Sequence, residues 1–398
     1  MILDVYTFLI ILSGLVVVSY LFDVLSKRSK VPSVIMLLTT GILLQLAGTY
    51  FGVSTPPLRN ILELFGIIGL ILIVLEGALD LELSKEKLPV IRKSLITATL
   101  TLLITAALIA LFVHYWLEVG YKVAFINAIP LAVISSAIAI PSVSNLTPEK
   151  REFIVYEATF SDIIGIMLFN FAIQNEQIGF GSFVGLGVDI FTILAISIVC
   201  CLILLFFLDK IKTHIKFFLI IALLILLYSI GKKMHLSSLL MVLVFGLMLN
   251  NAALFVKGRM ANYLHLGNLS AELKQLKQIN GESAFVIRTF FFLLFGFSIQ
   301  LEDLYSLDVW VLGFTIFSIT LLVRFLYLQY VARTPLIPEL FIAPRGLITI
   351  LLFYSIPPQY SITGLGEGVL FFVVILTSLL MMLGLLLTKR DVEDIPNY

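Results

Sequence analysis

The sequence predicts an all-α polytopic membrane protein with about thirteen transmembrane helices. Of the 398 residues, 60% are hydrophobic and only 13% are charged, whereas soluble domains average about 25% charged residues. Apolar runs long enough to cross a hydrocarbon core of about 30 Å recur along the chain. Charges, Pro or Gly bound them at 5–25, 32–50, 60–81, 94–116, 121–145, 152–174, 182–208, 215–231, 236–256, 281–300, 308–332, 338–357 and 365–388.

The distribution of Lys and Arg supports this helix count. Loops on the same side as the C-terminus carry 19 of the 26 basic residues, and three more lie within spans. The opposite side has only four, Arg59, Lys122, Lys232 and Lys233. Because basic loops stay in the cytoplasm, we expect an extracellular N-terminus and a cytoplasmic C-terminus in the cell membrane.

Residues 1–388 are predicted to form one transmembrane domain, and 389–398 a short cytoplasmic tail. The longest loop, 257–280, contains the amphipathic stretch LSAELKQLKQ, which fits a linker or a helix on the membrane surface. The N-terminal apolar run lacks the features of a cleaved signal and is expected to remain as a helix. No spacing of Cys or His suggests a metal cluster. No cofactor is expected, and no basic stripe indicates nucleic acid.

Two predicted spans contain helix-breaking residues. The fifth reads NAIPLAVISSAIAIPSVSNL and the twelfth PELFIAPRGLITILL. Proline removes a backbone donor and clashes with the preceding turn, so both spans are expected to unwind locally. They lie seven spans apart and therefore run in opposite directions. This arrangement is typical of inverted repeats whose broken helices cross near a binding site.

Asp162 is the strongest functional candidate. It lies roughly 16 Å from the charged edge at Arg151, at about 1.5 Å per residue, which places it near the membrane midplane. Carboxylates at that depth are costly and usually functional. Glu157 is five residues earlier, about 140° around the helix, and therefore faces another neighbour. Arg345 is its expected partner, with Arg288 as the competing one.

Glu76, in the string VLEGALDLEL of the third span, is a further buried acidic candidate. A structural role, in which its carboxylate bonds to backbone or to a polar neighbour, remains open beside a coupling role. Asp80, nearer the cytoplasmic end, is expected to be solvated.

Four strings together resemble the cation/proton antiporter superfamily, nearest the NhaP-type sodium/proton antiporters. KVPSVIMLLTTGILL resembles its opening motif, VLEGALDLEL its FEGGLEIDL pattern, YEATFSD its EGESLFND signature, and APRG its LRG string. The resemblance implies an NhaA-like antiporter fold with two broken crossing helices, in a homodimer whose core domains move against scaffold domains. It implies that Asp162 binds cation and proton in turn, and it favours a structural Glu157–Arg345 ion pair.

The chain departs from the family at two places. Ser161 replaces the Asn or Asp that precedes the key aspartate, and Ala139-Ile140-Pro141 replaces a Thr-Asp-Pro string. The SSAIAI stretch looks like the potassium-efflux branch. The remaining oxygen ligands would come from Ser161, water and the fifth span, through its unwound backbone around Ile140 and the hydroxyls of Ser135 and Ser136.

The predicted function is alternating-access exchange of a monovalent cation for H⁺, with Na⁺ or Li⁺ favoured over K⁺. Ser161 leaves one obligatory charge site, so exchange is expected to be electroneutral. The alternatives are a K⁺/H⁺ efflux antiporter and an organic-anion carrier on the same fold. A channel is disfavoured because no filter-like loop repeats. An enzyme is disfavoured because no second carboxylate shares the face of Asp162 and no metal motif is present.

Overall fold

The computed structural model describes residues 5–29, 31–50, 59–143, 146–175, 179–210, 217–234, 236–255, 269–299, 301–334 and 336–388. Within these ranges every regular element is a helix. The α-helices are α1 (Val5–Ser29), α2 (Ser33–Tyr50), α3 (Arg59–Asp80), α4 (Leu88–Trp116), α5 (Tyr121–Ala132), α6 (Ser136–Ser142), α7 (Pro148–Gln174), α8 (Phe180–Lys210), α9 (Phe217–Lys233), α10 (Ser238–Asn250), α11 (Ala252–Phe255), α12 (Leu269–Ser298), α13 (Leu307–Leu326), α14 (Leu347–Tyr354) and α15 (Glu367–Leu387). A π-helix, Tyr327–Ala332, continues α13, and 3₁₀ turns occupy Leu301–Tyr305 and Pro358–Tyr360.

Each of the thirteen predicted spans contains a helix, which confirms the all-α membrane fold. In the described ranges, seven helical stretches are long and apolar enough to cross a membrane unaided: Ser33–Tyr50, Leu88–Trp116, Tyr121–Ser142, Val184–Phe207, Leu273–Ser298, Leu307–Ala332 and Glu367–Leu387. The predicted tail, 389–398, lies outside the described residues.

The fifth span is broken as predicted, but the prolines do not mark the break. Pro130 lies inside α5 and Pro141 inside α6, while the extended segment between them is Val133–Ser135. A proline forfeits only its own donor, so a helix can retain it where neighbouring groups compensate. The break instead falls where backbone N–H groups find partners on other segments.

The predicted twelfth span, 338–357, is helical only in its second half. Residues 339–346 form a turn and an extended stretch, and α14 begins at Leu347. Pro338 and Pro344 remove two donors from the region that a continuous helix would need. The expectation of unwound backbone in this span is therefore confirmed.

The amphipathic stretch of the long loop is neither a linker nor a separate surface helix. It forms the first turns of α12, which starts at Leu269 and continues to Ser298. Leu276 and Asn280 are buried, and Asn280 Nδ2 donates to the Leu72 carbonyl at 3.0 Å. These contacts anchor one face of the start of α12 within the second of the chain's two compact units.

The chain divides into two compact units, each assembled from separate stretches. The first comprises Met1–Gly66, Val90–Asp162 and Val286–Tyr398, and the second comprises Ile67–Pro89 and Ile163–Phe285. In the first unit, α1 packs on α2, α5 on α14, and α13 on α15. In the second unit, α8, α9 and α10 pack on one another.

Within the first unit, α2 crosses α12 at a pair of glycines. A Cβ added at Gly41 would collide with the backbone at Leu293, and one added at Gly296 would collide with the backbone at Leu38. Small residues let helix backbones approach closely in membranes. The glycine of the opening motif therefore has a packing role.

Candidate functional site

At the break in the fifth span, three consecutive backbone N–H groups donate hydrogen bonds to other segments of the first unit. Ile134 N–H donates to Ser161 Oγ at 2.9 Å, Ser135 N–H to the Pro344 carbonyl at 2.8 Å, and Ser136 N–H to Asp162 Oδ2 at 3.2 Å. Buried backbone donors must find partners. Hydrogen bonds to α7 and to the unwound twelfth span thus stabilise the non-helical backbone at the break.

Asp162 lies at this break and is only 4% exposed. Its Oδ2 accepts the bond from Ser136, whereas its Oδ1 is buried and has no hydrogen-bond partner among the described residues. The hydroxyl oxygen of Ser135, also at the break, is buried and unpartnered in the same part of the chain. A buried oxygen without a donor is costly, and a bound proton or cation would remove that cost.

Arg345 joins the two broken spans. It is 1% exposed, and its guanidinium donates to the carbonyls of Leu131 at 2.8 Å, Ala132 at 3.0 Å and Ala343 at 2.8 Å. Its backbone N–H donates to Thr377 Oγ1 at 3.0 Å. The Arg345 side chain therefore donates hydrogen bonds to backbone carbonyls both at the end of α5 and in the twelfth span.

The next residue, Gly346, permits this close crossing. A Cβ there would lie 2.5 Å from Ile138 Cδ1 and 2.8 Å from Ser135 Oγ. A Cβ at this position would force the Ile138 and Ser135 side chains to shift, so glycine lets the two spans cross closely.

Charges at the break match the helix ends that they meet. Arg345 binds the last carbonyls of α5, where the helix dipole is negative, and Asp162 accepts from the first N–H of α6, where it is positive. This is the geometry by which broken membrane helices hold ions of either sign.

The predicted Glu157–Arg345 ion pair is wrong. Glu157 pairs instead with Arg324 of α13, through Nη1–Oε1 at 2.6 Å and Nη2–Oε2 at 2.9 Å. Both are almost fully buried, and Arg324 Nε also donates to the Glu339 carbonyl at 2.8 Å. The bidentate geometry satisfies both oxygens of Glu157, and Arg345 is occupied by backbone carbonyls.

Arg324 is, with Arg288 and Arg345, one of the three basic residues that lie within the predicted spans, and no role was predicted for it from the sequence. The available signal was its isolation, since it is the only basic residue of α13 and intramembrane arginines usually have partners. The same signal applies to Arg288 and Arg345, so the sequence alone did not separate the three.

Arg288, the other proposed partner of Glu157, contacts α6 instead. Its Nη1 donates to the Ala137 carbonyl at 2.7 Å. Ile140 lies within α6 rather than in the unwound segment, and its carbonyl accepts the N–H of Val143 at 3.4 Å. Its expected place among the ligands of an unwound backbone is therefore not supported.

Glu76 lies in the second unit, on α3. It is half-buried, and its Oε1 lies 3.7 Å from where a Cβ on Gly281 of α12 would stand. Asp80, one turn later, is exposed, as expected for a solvated carboxylate. Ser161, Ser135, Ser136 and Asp162, by contrast, all meet at the break in the first unit.

Comparison with known proteins decides the family. Residues 13–389 match the protein family described as "Sodium/hydrogen exchanger, transmembrane". The chain belongs to this family. The resemblance inferred from the sequence motifs is thereby confirmed, and the exchanger is a multi-pass membrane protein that carries out cation/proton antiport.

Solved structures confirm the fold. The exchanger is similar to the sodium/proton antiporter MjNhaP1 from Methanocaldococcus jannaschii at pH 8, with 19% identity, a TM-score of 0.74, and coverage of 96% of this chain and 100% of that one. An electron-microscopy structure of the same antiporter gives 21% identity, a TM-score of 0.66, and coverage of 97% and 96%. No curated protein matches the chain.

Proposed function

We propose that the exchanger moves Na⁺ or Li⁺ against H⁺ by alternating access, and that Asp162 binds both in turn. The observation that carries this proposal is the buried, unpartnered Oδ1 of Asp162 beside the unwound fifth span. Hard monovalent cations prefer oxygen ligands, and a proton on the same carboxylate removes the charge that attracts them. Competition between the cation and the proton for this one carboxylate is then sufficient to couple their transport in opposite directions.

The proposed ligands are Asp162, the hydroxyls of Ser135 and Ser136, carbonyls of the extended backbone, and water. Ser161 has a supporting role, because its oxygen already accepts the Ile134 N–H. It holds the extended segment next to the carboxylate. Fixing ligands on a buried, hydrogen-bonded frame reduces the reorganisation needed when the cation enters.

Exchange is proposed to be electroneutral, with one H⁺ for each cation. Among the described residues at the break, only Asp162 contributes a carboxylate, and Ser161 stands where the electrogenic branch has a second one. Glu157 is neutralised by Arg324, and Arg345 is committed to backbone carbonyls. An arginine with a reference pKa above about 12 cannot supply a second proton at working pH.

The charge pattern and the family support a proposal for the physiological setting. We place the exchanger in the cell membrane as a homodimer, with its N-terminus outside and its C-terminus in the cytoplasm. The similar archaeal protein is described as a sodium/proton antiporter, which favours Na⁺ as the physiological cation.

A second candidate is K⁺/H⁺ exchange. The segment Ala137–Ile140, after the break, carries no side-chain oxygen, where a Thr-Asp pair was expected. Fewer anionic oxygens give a weaker field at the site, and a weaker field favours a cation that is less strongly hydrated than Na⁺.

Reconstitution in proteoliposomes tests the proposal. An imposed pH gradient should dissipate on adding Na⁺ or Li⁺ to the exchanger, and Asp162→Asn should abolish this response while leaving the protein folded. The exposed Asp308 of α13 provides the matched control, since Asp308→Asn removes a carboxylate that lies at a helix end. Dissipation by folded Asp162→Asn would refute the assignment of the site, and a response to K⁺ alone would select the second candidate.

A further inference from the structure

The second unit contains a cavity of about 380 Å³ lined by α7, α8 and the start of α10. Its polar lining includes Asp189, Asn170, Asn175 and Ser237. Gly181 and Gly185 line it from α8, and a Cβ at either would meet nothing within 4 Å. The glycines thus leave the space open on the side that carries Asp189.

Asp189 is the feature of this cavity that packing does not explain. It is the only charged residue between Phe180 and Leu208 of α8, roughly 13 Å along the helix from its start at about 1.5 Å per residue. It is half-buried, and no hydrogen bond or ion pair reaches it from the part of the chain that the structure describes. Intramembrane carboxylates normally pair or face a water-filled cavity.

The neighbouring amides make the lining rich in oxygen acceptors. Asn170 Nδ2 donates to Ser237 Oγ at 3.3 Å, and Asn175 Nδ2 donates to the Phe171 carbonyl at 2.9 Å. Both amide nitrogens are therefore committed within the protein, which leaves the two Oδ1 atoms as acceptors. None of the described residues that line the cavity is a Lys, Arg or His.

We propose that this cavity is a second cation site, distinct from Asp162, which binds a monovalent metal cation with part of its water shell. A carboxylate with amide and hydroxyl oxygens suits hard cations. At about 30 Å³ per water, the cavity holds about a dozen molecules. It is thus too large to coordinate a bare ion, and weak binding through water is expected. The proposal goes beyond exchange at Asp162 and does not depend on it.

Sodium-23 NMR of the detergent-solubilised protein tests the site without transport. The Asp162→Asn variant removes the exchange carboxylate, so saturable broadening of the sodium signal in that background should come from the cavity. Adding Asp189→Asn should abolish this broadening. The double variant with Glu118→Gln is the control, because Glu118 is an exposed acidic residue in the loop after α4 and its loss should change nothing.

A second variant tests the cavity independently, in case Asp189→Asn prevents folding. Gly185→Leu keeps Asp189 and fills the open space, and it should also abolish the broadening if the cavity holds the ion. Persistent broadening in folded Asp162→Asn/Asp189→Asn would overturn the proposal. Displacement of sodium by methylammonium at lower concentrations than by Li⁺ or K⁺ would also overturn it, since that result would assign the cavity to organic ammonium ions. Neither outcome would bear on exchange at Asp162.

Discussion

At the scale of single residues, four buried charged residues around the break have three separate tasks. Asp162 keeps one oxygen without a donor among the described residues, and Arg345 uses its donors on backbone carbonyls. Glu157 and Arg324 satisfy each other. Of these four residues, Asp162 is therefore the one with an oxygen left for a proton or a cation.

We expect Glu157→Gln and Arg324→Gln each to lower the free energy of unfolding by about 3–5 kcal/mol, because either change leaves a buried charge uncompensated. The double variant should lose less than the sum of the two. Thermal stability in detergent for the two single variants and the double variant measures this coupling.

An exposed pair provides the control for that cycle. Lys87 and Glu82 form an ion pair at 3.0 Å near the surface, with side chains 30% and 63% exposed, and surface pairs contribute about 0–1 kcal/mol. Lys87→Gln should therefore leave the melting temperature nearly unchanged. Additive losses for Glu157 and Arg324 would contradict their assignment as partners.

At the scale of elements, the two unwound segments stabilise each other. Ser135 N–H bonds to Pro344, and Arg345 binds the end of α5. Neither break satisfies its own backbone, so each requires the other. The two broken spans therefore form one structural unit around Asp162.

Replacing Gly346 should disturb this crossing. Gly346→Ala adds a Cβ that contacts Ile138 and Ser135, and such overpacking typically costs about 1–3 kcal/mol. We expect a lower melting temperature together with reduced exchange. Gly48→Ala is the matched control, because a Cβ at Gly48 of α2 meets nothing within 4 Å, and alanine there should be neutral or stabilising. Equal effects of the two substitutions would contradict the role of the crossing.

At the scale of the whole molecule, the count of mobile charges decides how exchange responds to voltage. One carboxylate that alternates between a proton and a monovalent cation carries the same charge in both directions. The remaining buried charges at the break are fixed by partners within the first unit.

An imposed membrane potential should therefore leave the end point of exchange unchanged. Clamping the potential with K⁺ and valinomycin while Na⁺ drives proton flux measures this, once K⁺ is shown not to be transported. A shift of the end point equivalent to about 2.3 kcal/mol per charge per 100 mV would show that a second charge moves. Glu76 would then be the first candidate for an additional proton carrier.

The sequence by itself determined the all-α membrane fold and its two broken spans, and it singled out Asp162 as the candidate site. These features depend on local properties. Hydrophobic length specifies a span, Pro and Gly weaken a helix, and a lone carboxylate among apolar residues is costly wherever its helix packs.

The tertiary structure decided what those local properties leave open. Three spans each carry one arginine, and only packing shows that Arg324 reaches Glu157 while Arg345 reaches the end of α5. The tertiary structure also shows that the break lies at Val133–Ser135 and not at the prolines. A helix ends where its backbone donors find better partners elsewhere in the fold. Pairing between segments distant in sequence depends on their arrangement in space, which single-sequence patterns do not encode.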